Sequence, residues 1–193
     1  MSRIFDRGAI TAAYVGIGMA VTMAISFLLI VPIQPAYHLL TIPGGMVIGY
    51  YANARAARRR GEWRRIVPNA LLAGVATGLT LAILLLGIKA LFFLADNGYP
   101  NFNQVENGVA GPTCESGADC VYRRYLAAEP GQLAAAGITD APSFSSLYWR
   151  EQGSSALFLI AAATGSALLG GVLFSLAGPR RGALATRGAP AAA

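Results

Sequence analysis

The chain has 193 residues, of which 55% are hydrophobic and only 12% charged, with a formal net charge of +6. Soluble domains carry about 25% charged residues, so a water-facing globular domain is excluded and the chain falls with integral membrane proteins. The basic excess is no sign of nucleic-acid binding, because the arginines flank apolar runs and no basic surface interleaved with aromatics occurs.

Residues 1–8 form a short polar lead with Arg3 and Arg7, read as a cytoplasmic N-terminus. The first apolar run, 9–33, has 25 residues. A signal-peptide core has only about 7–15, and Gln34-Pro35-Ala36 is a poor cleavage exit, so the run reads as an uncleaved transmembrane helix. The second run, 37–53, has 17 residues. At about 26 Å it is just short of the ~30 Å hydrocarbon core, and Pro43-Gly44-Gly45 inside it predicts a kink. A re-entrant segment competes with full crossing. Charge favours crossing, since otherwise Arg55–Arg65 would lie across the membrane from Arg3 and Arg7, whereas Lys and Arg gather on the cytoplasmic side.

Residues 54–65 are then a cytoplasmic arginine loop, in which Arg55, Arg58, Arg59, Arg60, Arg64 and Arg65 stand against the single acid Glu62. Their expected role is to set topology and to contact anionic headgroups, at about 1 kcal/mol each. The third run, 66–95, opens on Val67-Pro68, which suits a first helical turn. At roughly 45 Å it has to tilt or protrude. Segment 96–152 holds seven acids and three arginines and is predicted to be extracytoplasmic. The fourth run, 154–178, stops at Gly178-Pro179. The Gly/Ala/Pro tail 179–193, with Arg180, Arg181 and Arg187, is expected to be disordered and cytoplasmic. Trp63 and the Tyr148-Trp149 pair fall at opposite interfaces, as an aromatic belt would place them.

Cys114 and Cys120 are the only cysteines. They lie in the segment predicted to face an oxidising compartment, which favours a structural disulfide. Their spacing is not the C-x-x-C of a redox dithiol. Beyond them the pattern predicts short helices over 121–129 and 132–136, ended by Pro130 and Gly137, and a cap at Pro142-Ser143 or Ser145-Ser146 for a helix entering the fourth run. Phe102, Tyr122, Tyr125, Phe144 and Tyr148 give the segment enough aromatic surface for a small self-packed cap, the favoured reading, or for a partner-binding face.

Helices meet in lipid where small side chains let backbones approach. Each run carries such residues at intervals of four, which keeps them on one face. They are Ala12, Gly16, Ala20 and Ala24; Gly45, Gly49 and Asn53; Ala70, Gly74, Gly78 and Ala82; and Ala162, Ser166 and Gly170. Packing within one chain is the favoured reading, with dimerisation as its rival. A displacement of 58 positions aligns Gly16 with Gly74 and AVTMAI at 20–25 with GLTLAI at 78–83. Gly44-Gly45 echoes Gly170-Gly171 at a displacement of 126. A duplicated parallel hairpin is therefore a further expectation.

The chemical inventory is thin. His38 is the only histidine, and no metal, phosphate-loop or catalytic spacing occurs, so no catalytic residue, metal or cofactor is predicted. Lys89 is the only ionisable residue inside a run. Such residues are costly in lipid, and Lys89 is expected to snorkel to the outer interface, with an intramembrane anion or headgroup contact as the alternative.

The expected fold is an all-α integral membrane protein: a four-transmembrane-helix bundle of two in–out–in hairpins with a small disulfide-bonded extracytoplasmic insertion between helices 3 and 4. The plan is similar in architecture to tetraspanins. Their paired-cysteine-glycine signature is missing, and an architecture does not deliver a function. The expected role is non-enzymatic: an accessory, assembly or scaffold subunit of the plasma membrane, binding membrane lipids and another membrane protein or a second copy of itself. An oligomeric transporter or channel, with a polar path past Thr22, Thr41, Thr80, Thr164 or Lys89, is the alternative. An enzyme acting on lipid substrates comes third. Alanine-, glycine- and arginine-rich usage without a glycosylation sequon fits a bacterial membrane.

Overall fold

The computed structural model describes residues 5–30, 33–95, 114–115 and 117–179, which contain helices and no strand. In chain order they are α1 (Arg7–Ala24), which runs on as a π-helical segment (Ile25–Ile30), α2 (Gln34–Arg55), α3 (Trp63–Ala95), α4 (Ala118–Ala128), α5 (Pro130–Ala135) and α6 (Ala141–Ala177). Arg3, Phe102 and the tail arginines lie outside the described residues.

Three stretches are long and apolar enough to cross a membrane: Arg7–Ile30, Trp63–Ala95 and Ala141–Ala177. The fourth long helix, α2, is less apolar because Gln34, His38 and Asn53 sit among its glycines. Its 22 residues nevertheless reach about 33 Å, longer than its apolar run. It continues unbroken through Pro43, and the helical irregularity falls instead at the π-helical segment Ile25–Ile30. Helix α3 starts at Trp63 rather than at Val67-Pro68, and carries Pro68 inside its second turn.

The largest departure from expectation is α6, a single helix of 37 residues. It begins thirteen positions ahead of the fourth apolar run and therefore stands about 20 Å proud of it. Neither proposed serine cap opens it. Asp140 does: its Oδ1 accepts from the Ser143 N–H at 2.8 Å, while the Ser143 hydroxyl donates to the Asp140 carbonyl at 3.0 Å. An aspartate at this position satisfies one of the orphan N–H groups of the first turn.

The long helices form a flattened diamond. α2 and α3 touch each other and both α1 and α6, whereas α1 and α6 do not meet. Ala12 clusters with Ala73 and Gly16 lies beside Thr77, so α1 and α3 run parallel. Gly45 lies against Ala163 and Ser166, and Gly49 against Ala167, so α2 and α6 run parallel as well.

Close approach is what the small residues provide. A Cβ added at Gly49 would collide with the backbone of Ala167, and one added at Gly170 with the backbone of Met46. One at Gly74 would come within 2.9 Å of the Thr164 Cα, and one at Gly78 within 2.9 Å of the Ile160 Cα. Gly16 meets the Thr77 hydroxyl and Gly45 that of Ser166 in the same way. All six glycines thus pack inside the chain. On α6 the buried file is Ala163, Ser166, Ala167, Gly170 and Gly171, and Ala162 is only half-buried.

The duplicated hairpin fares worse. Its two displacements would set Gly74 against Phe174, as Gly16 lies against Ile48. Gly74 lies instead against Thr164 and Ala167, about two turns away, so the hairpins do not share a register. Similar small-residue spacing arises wherever helices pack closely, and no repeat is needed to explain it.

Candidate functional site

The two ends of the diamond carry its polar groups. At the arginine-loop end, the Asp6 carboxylate is gripped by a fork from Arg58, with Nε to Oδ2 at 2.8 Å and Nη2 to Oδ1 at 2.6 Å. Asn69 donates to Oδ2 at 2.7 Å and accepts from the Asp6 N–H at 3.3 Å. Arg58 also reaches Glu62 at 3.3 Å. Behind Asn69, the fully buried Asn53 donates to the carbonyls of Gly49 and Ile66 at 3.1 and 3.3 Å. Arg60 donates to the Gly178 carbonyl at the far end of α6. The start of α1, the end of α2, the start of α3 and the end of α6 are thereby stitched together.

Local geometry aims Arg58. The Arg58 N–H bonds the Asn53 carbonyl and the Ala57 N–H bonds that of Ala54, both at 3.1 Å. This is a Schellman ending of α2. Its left-handed position is filled by Ala57, φ 52°, not by glycine. The equivalent turn after α5 uses Gly137, φ 68°.

Burial works against the Asp6 carboxylate, but the hydrogen bonds from Asn69 and Arg58 and the charges of Arg58 and Arg65 outweigh it, so its pKa lies below the usual carboxylate value. The Asp6 bond, ahead of an opposing desolvation, raises that of Arg58.

Two of the six loop arginines therefore also fasten the chain to itself. Arg58 and Arg60 turn inward because a carboxylate and a helix-end carbonyl lie within their reach. Arg55, Arg59 and Arg64 are exposed. The signal for this network was present in the sequence: one lone aspartate in an otherwise basic N-terminal lead, and an asparagine at the loop end of each flanking run.

At the cap end, Cys114 and Cys120 are disulfide-bonded, with Cα atoms 5.4 Å apart. α4 and α5 lie beside the overhang of α6, where Phe93, Val121, Leu133 and Phe144 make a small core. Tyr148 stacks on Phe93 at 4.6 Å and Trp149 meets it edge-on at 5.2 Å. Both are half-buried in this cluster, so they do more than form a belt. Trp63, 44% exposed, stands at the other end.

Below the cap, an open apolar groove separates α3 from α6, with Arg150 at its rim. Gly74 lies against Thr164 and Gly78 against Ile160, so the two helices run antiparallel. This register carries Lys89 to the level of Trp149 and Arg150. Lys89 is half-buried and makes no hydrogen bond or ion pair with another described residue.

Between the ends, most hydroxyls look to their own helices or seal a helix pair, while the buried Thr164 hydroxyl has no hydrogen-bond partner among the described residues. Tyr37 donates to the Leu81 carbonyl at 2.8 Å. Thr22, Thr41 and Thr80 each donate to the carbonyl four residues back. Thr22 faces outward while Thr41 is buried, so these threonines do not share one face within the chain. His38 sits over Gln34 with its ring 5.5 Å from Phe158. No group of three metal-ligating side chains occurs among the described residues. No protein-family model, curated protein or solved structure matches the chain.

Proposed function

We propose that the chain is a non-enzymatic subunit of a plasma membrane, crossing it four times with both termini and the arginine loop in the cytoplasm, and that it uses its cap to dock another membrane protein. Dimensions support the crossings. Asn69 and Lys89 are twenty positions apart on α3, about 30 Å of helix, which equals the hydrocarbon thickness. α2 runs alongside for about three quarters of that depth, from Tyr37 beside Leu81 to Asn53 beside Ile66. The arginines at the Asn69 end favour the cytoplasm for that end.

The observation that carries the subunit reading is the overhang of α6. A close-packed bundle holds a disulfide-bonded, aromatic-cored knob on the overhang of one continuous helix, a suitable way to present a docking surface at the membrane face. The test is photo-crosslinking from Ser146 or Arg123 in native membranes. The expected result is one discrete adduct with a second membrane protein, lost when Phe144→Ala loosens the cap. Adducts only with a second copy of the chain, or none, would sink the reading.

A further inference from the structure

We infer that the groove between α3 and α6 binds one anionic phospholipid, with an acyl chain along the groove and the phosphate held by Arg150 and Lys89. This rests on the membrane reading above and goes beyond it by assigning a lipid class to a place.

The groove has a volume of about 630 Å³, within the roughly 300–1,000 Å³ of sites that hold small ligands. Leu79, Ile83 and Leu86 face it from α3, and Gly153, Leu157 and Ile160 from α6. Both sets recur at three- and four-residue spacing, so each helix turns a single stripe toward it. From Ile160 to Arg150 is about 15 Å of helix, half of the ~30 Å hydrocarbon thickness and hence the depth of one leaflet. The floor fits a lipid tail in length and chemistry.

The rim fits a phosphate. Arg150 closes the end toward the cap, and Lys89 lies three residues beyond Leu86 on the same α3 stripe. Arg123 is committed to Asp119 at 2.9 Å and Arg124 is engaged elsewhere. Lys89 and Arg150 have no such partner among the described residues. Glu151 shares its helix face with Phe158, which packs on His38 of α2, and so turns away from the groove. A half-buried ammonium without a partner is costly, and a phosphate beside it removes that cost. The guanidinium fork suits phosphate oxygens. An anionic headgroup satisfies both cations, whereas a zwitterionic one would bring its own cation to them.

The protein carries its own reporter. Trp149 adjoins Arg150, and the Trp63→Phe variant leaves it the only tryptophan. Full-length Trp63→Phe protein is reconstituted in vesicles of phosphatidylcholine containing brominated phosphatidylglycerol or, in parallel, brominated phosphatidylcholine. Quenching of Trp149 reports which lipid occupies its vicinity. The expected preference for phosphatidylglycerol is roughly thirtyfold, from two cations near the surface. It should fall to near unity in Lys89→Ala/Arg150→Ala and return when Lys89→Arg/Arg150→Lys restores the charges. Gly153→Leu is the independent variant. No atom lies within 4 Å of a Cβ at this position, so the helix is expected to fold as before while the new side chain fills the groove and lowers the preference. Equal quenching by the two lipids, or a preference that survives both Lys89→Ala/Arg150→Ala and Gly153→Leu, overturns the site. Absence of quenching by either lipid, at Trp149 and also at Trp63 in a Trp149→Phe variant, overturns the membrane reading and the site with it.

Discussion

The two ends of the bundle use their basic side chains differently. At the arginine-loop end, Arg58 and Arg60 are drawn into the chain, where Asp6, Glu62 and the Gly178 carbonyl meet them. At the cap end, Arg150 stands at the rim of an apolar groove, and Lys89 lies level with it on α3. The difference lies in what surrounds the cations. A cation met by a carboxylate or a helix-end carbonyl becomes a fastener, and the two beside the apolar groove are those for which we infer a lipid phosphate.

The most forceful way to break this comparison is to part the column that joins the two ends. Gly49→Leu would drive a side chain into the Ala167 backbone. Because backbone cannot rotate away, the expected cost is about 3 kcal/mol or more, read as loss of the cooperative thermal transition in detergent. Gly18→Leu is its control, since nothing lies within 4 Å of a Cβ there, and it should melt as the parent does.

Next in size is Asp6→Ala, which leaves Arg58 and Asn69 without their shared acceptor. The loss should be about 2 kcal/mol, discounted for the partial exposure of the pair. Its pH dependence sharpens the assignment. The folded pKa of Asp6 is depressed, so its stabilisation is fully present above the unfolded value of about 3.9 and is lost as pH falls through the lower folded value. The difference in melting between parent and Asp6→Asn should therefore hold at neutral pH, begin to shrink only below about pH 4, and vanish once pH has fallen past the lower folded value. A difference that persists in acid would mean that the carboxylate charge is not what fastens this end.

At the other end, Cys114→Ser/Cys120→Ser should cost roughly 2 kcal/mol in the chain-entropy description. Hydrogen exchange should place the loss in α4 and leave the four long helices protected. Exchange that quickens along α2 instead would show that the cap and the bundle are one cooperative unit. The smallest expected effect runs the other way. Ala57→Gly relieves the left-handed residue that aims Arg58, and should stabilise by about 0.5–1 kcal/mol. If Ala57→Gly destabilises, the turn depends on the alanine for more than its backbone angle.

Much of the inner face of the bundle was legible in advance, because helical spacing puts residues four apart on one side. Ala12, Gly16, Ala20 and Ala24 are all buried, as are Ala70, Gly74, Gly78 and Ala82. The same reasoning slipped by one residue on α6, where Ala163 and not Ala162 faces inward. That helix is broadly apolar on every side, so spacing alone does not fix its rotation. The inward bonding of Arg58 and Arg60 was not legible for a different reason. A charge run reads as solvated when its partners are distant, and Arg58 meets Asp6 across 52 positions while Arg60 meets Gly178 across 118.

The sequence by itself determined what depends on composition and short spacing: the apolar runs, the concentration of arginines at one end, the small-residue faces and the short cysteine loop. Tertiary structure alone decided register, and register decided the rest. It rejected the duplicated hairpin, joined the overhang of α6 to the cap, enlisted Asp6 and Asn69 beside Arg58, and set Lys89 level with Arg150. Local propensity acts over a few residues. The choice of partner across a helix interface depends on how far one backbone slides along another, and the side chains that stop the slide come from distant parts of the chain.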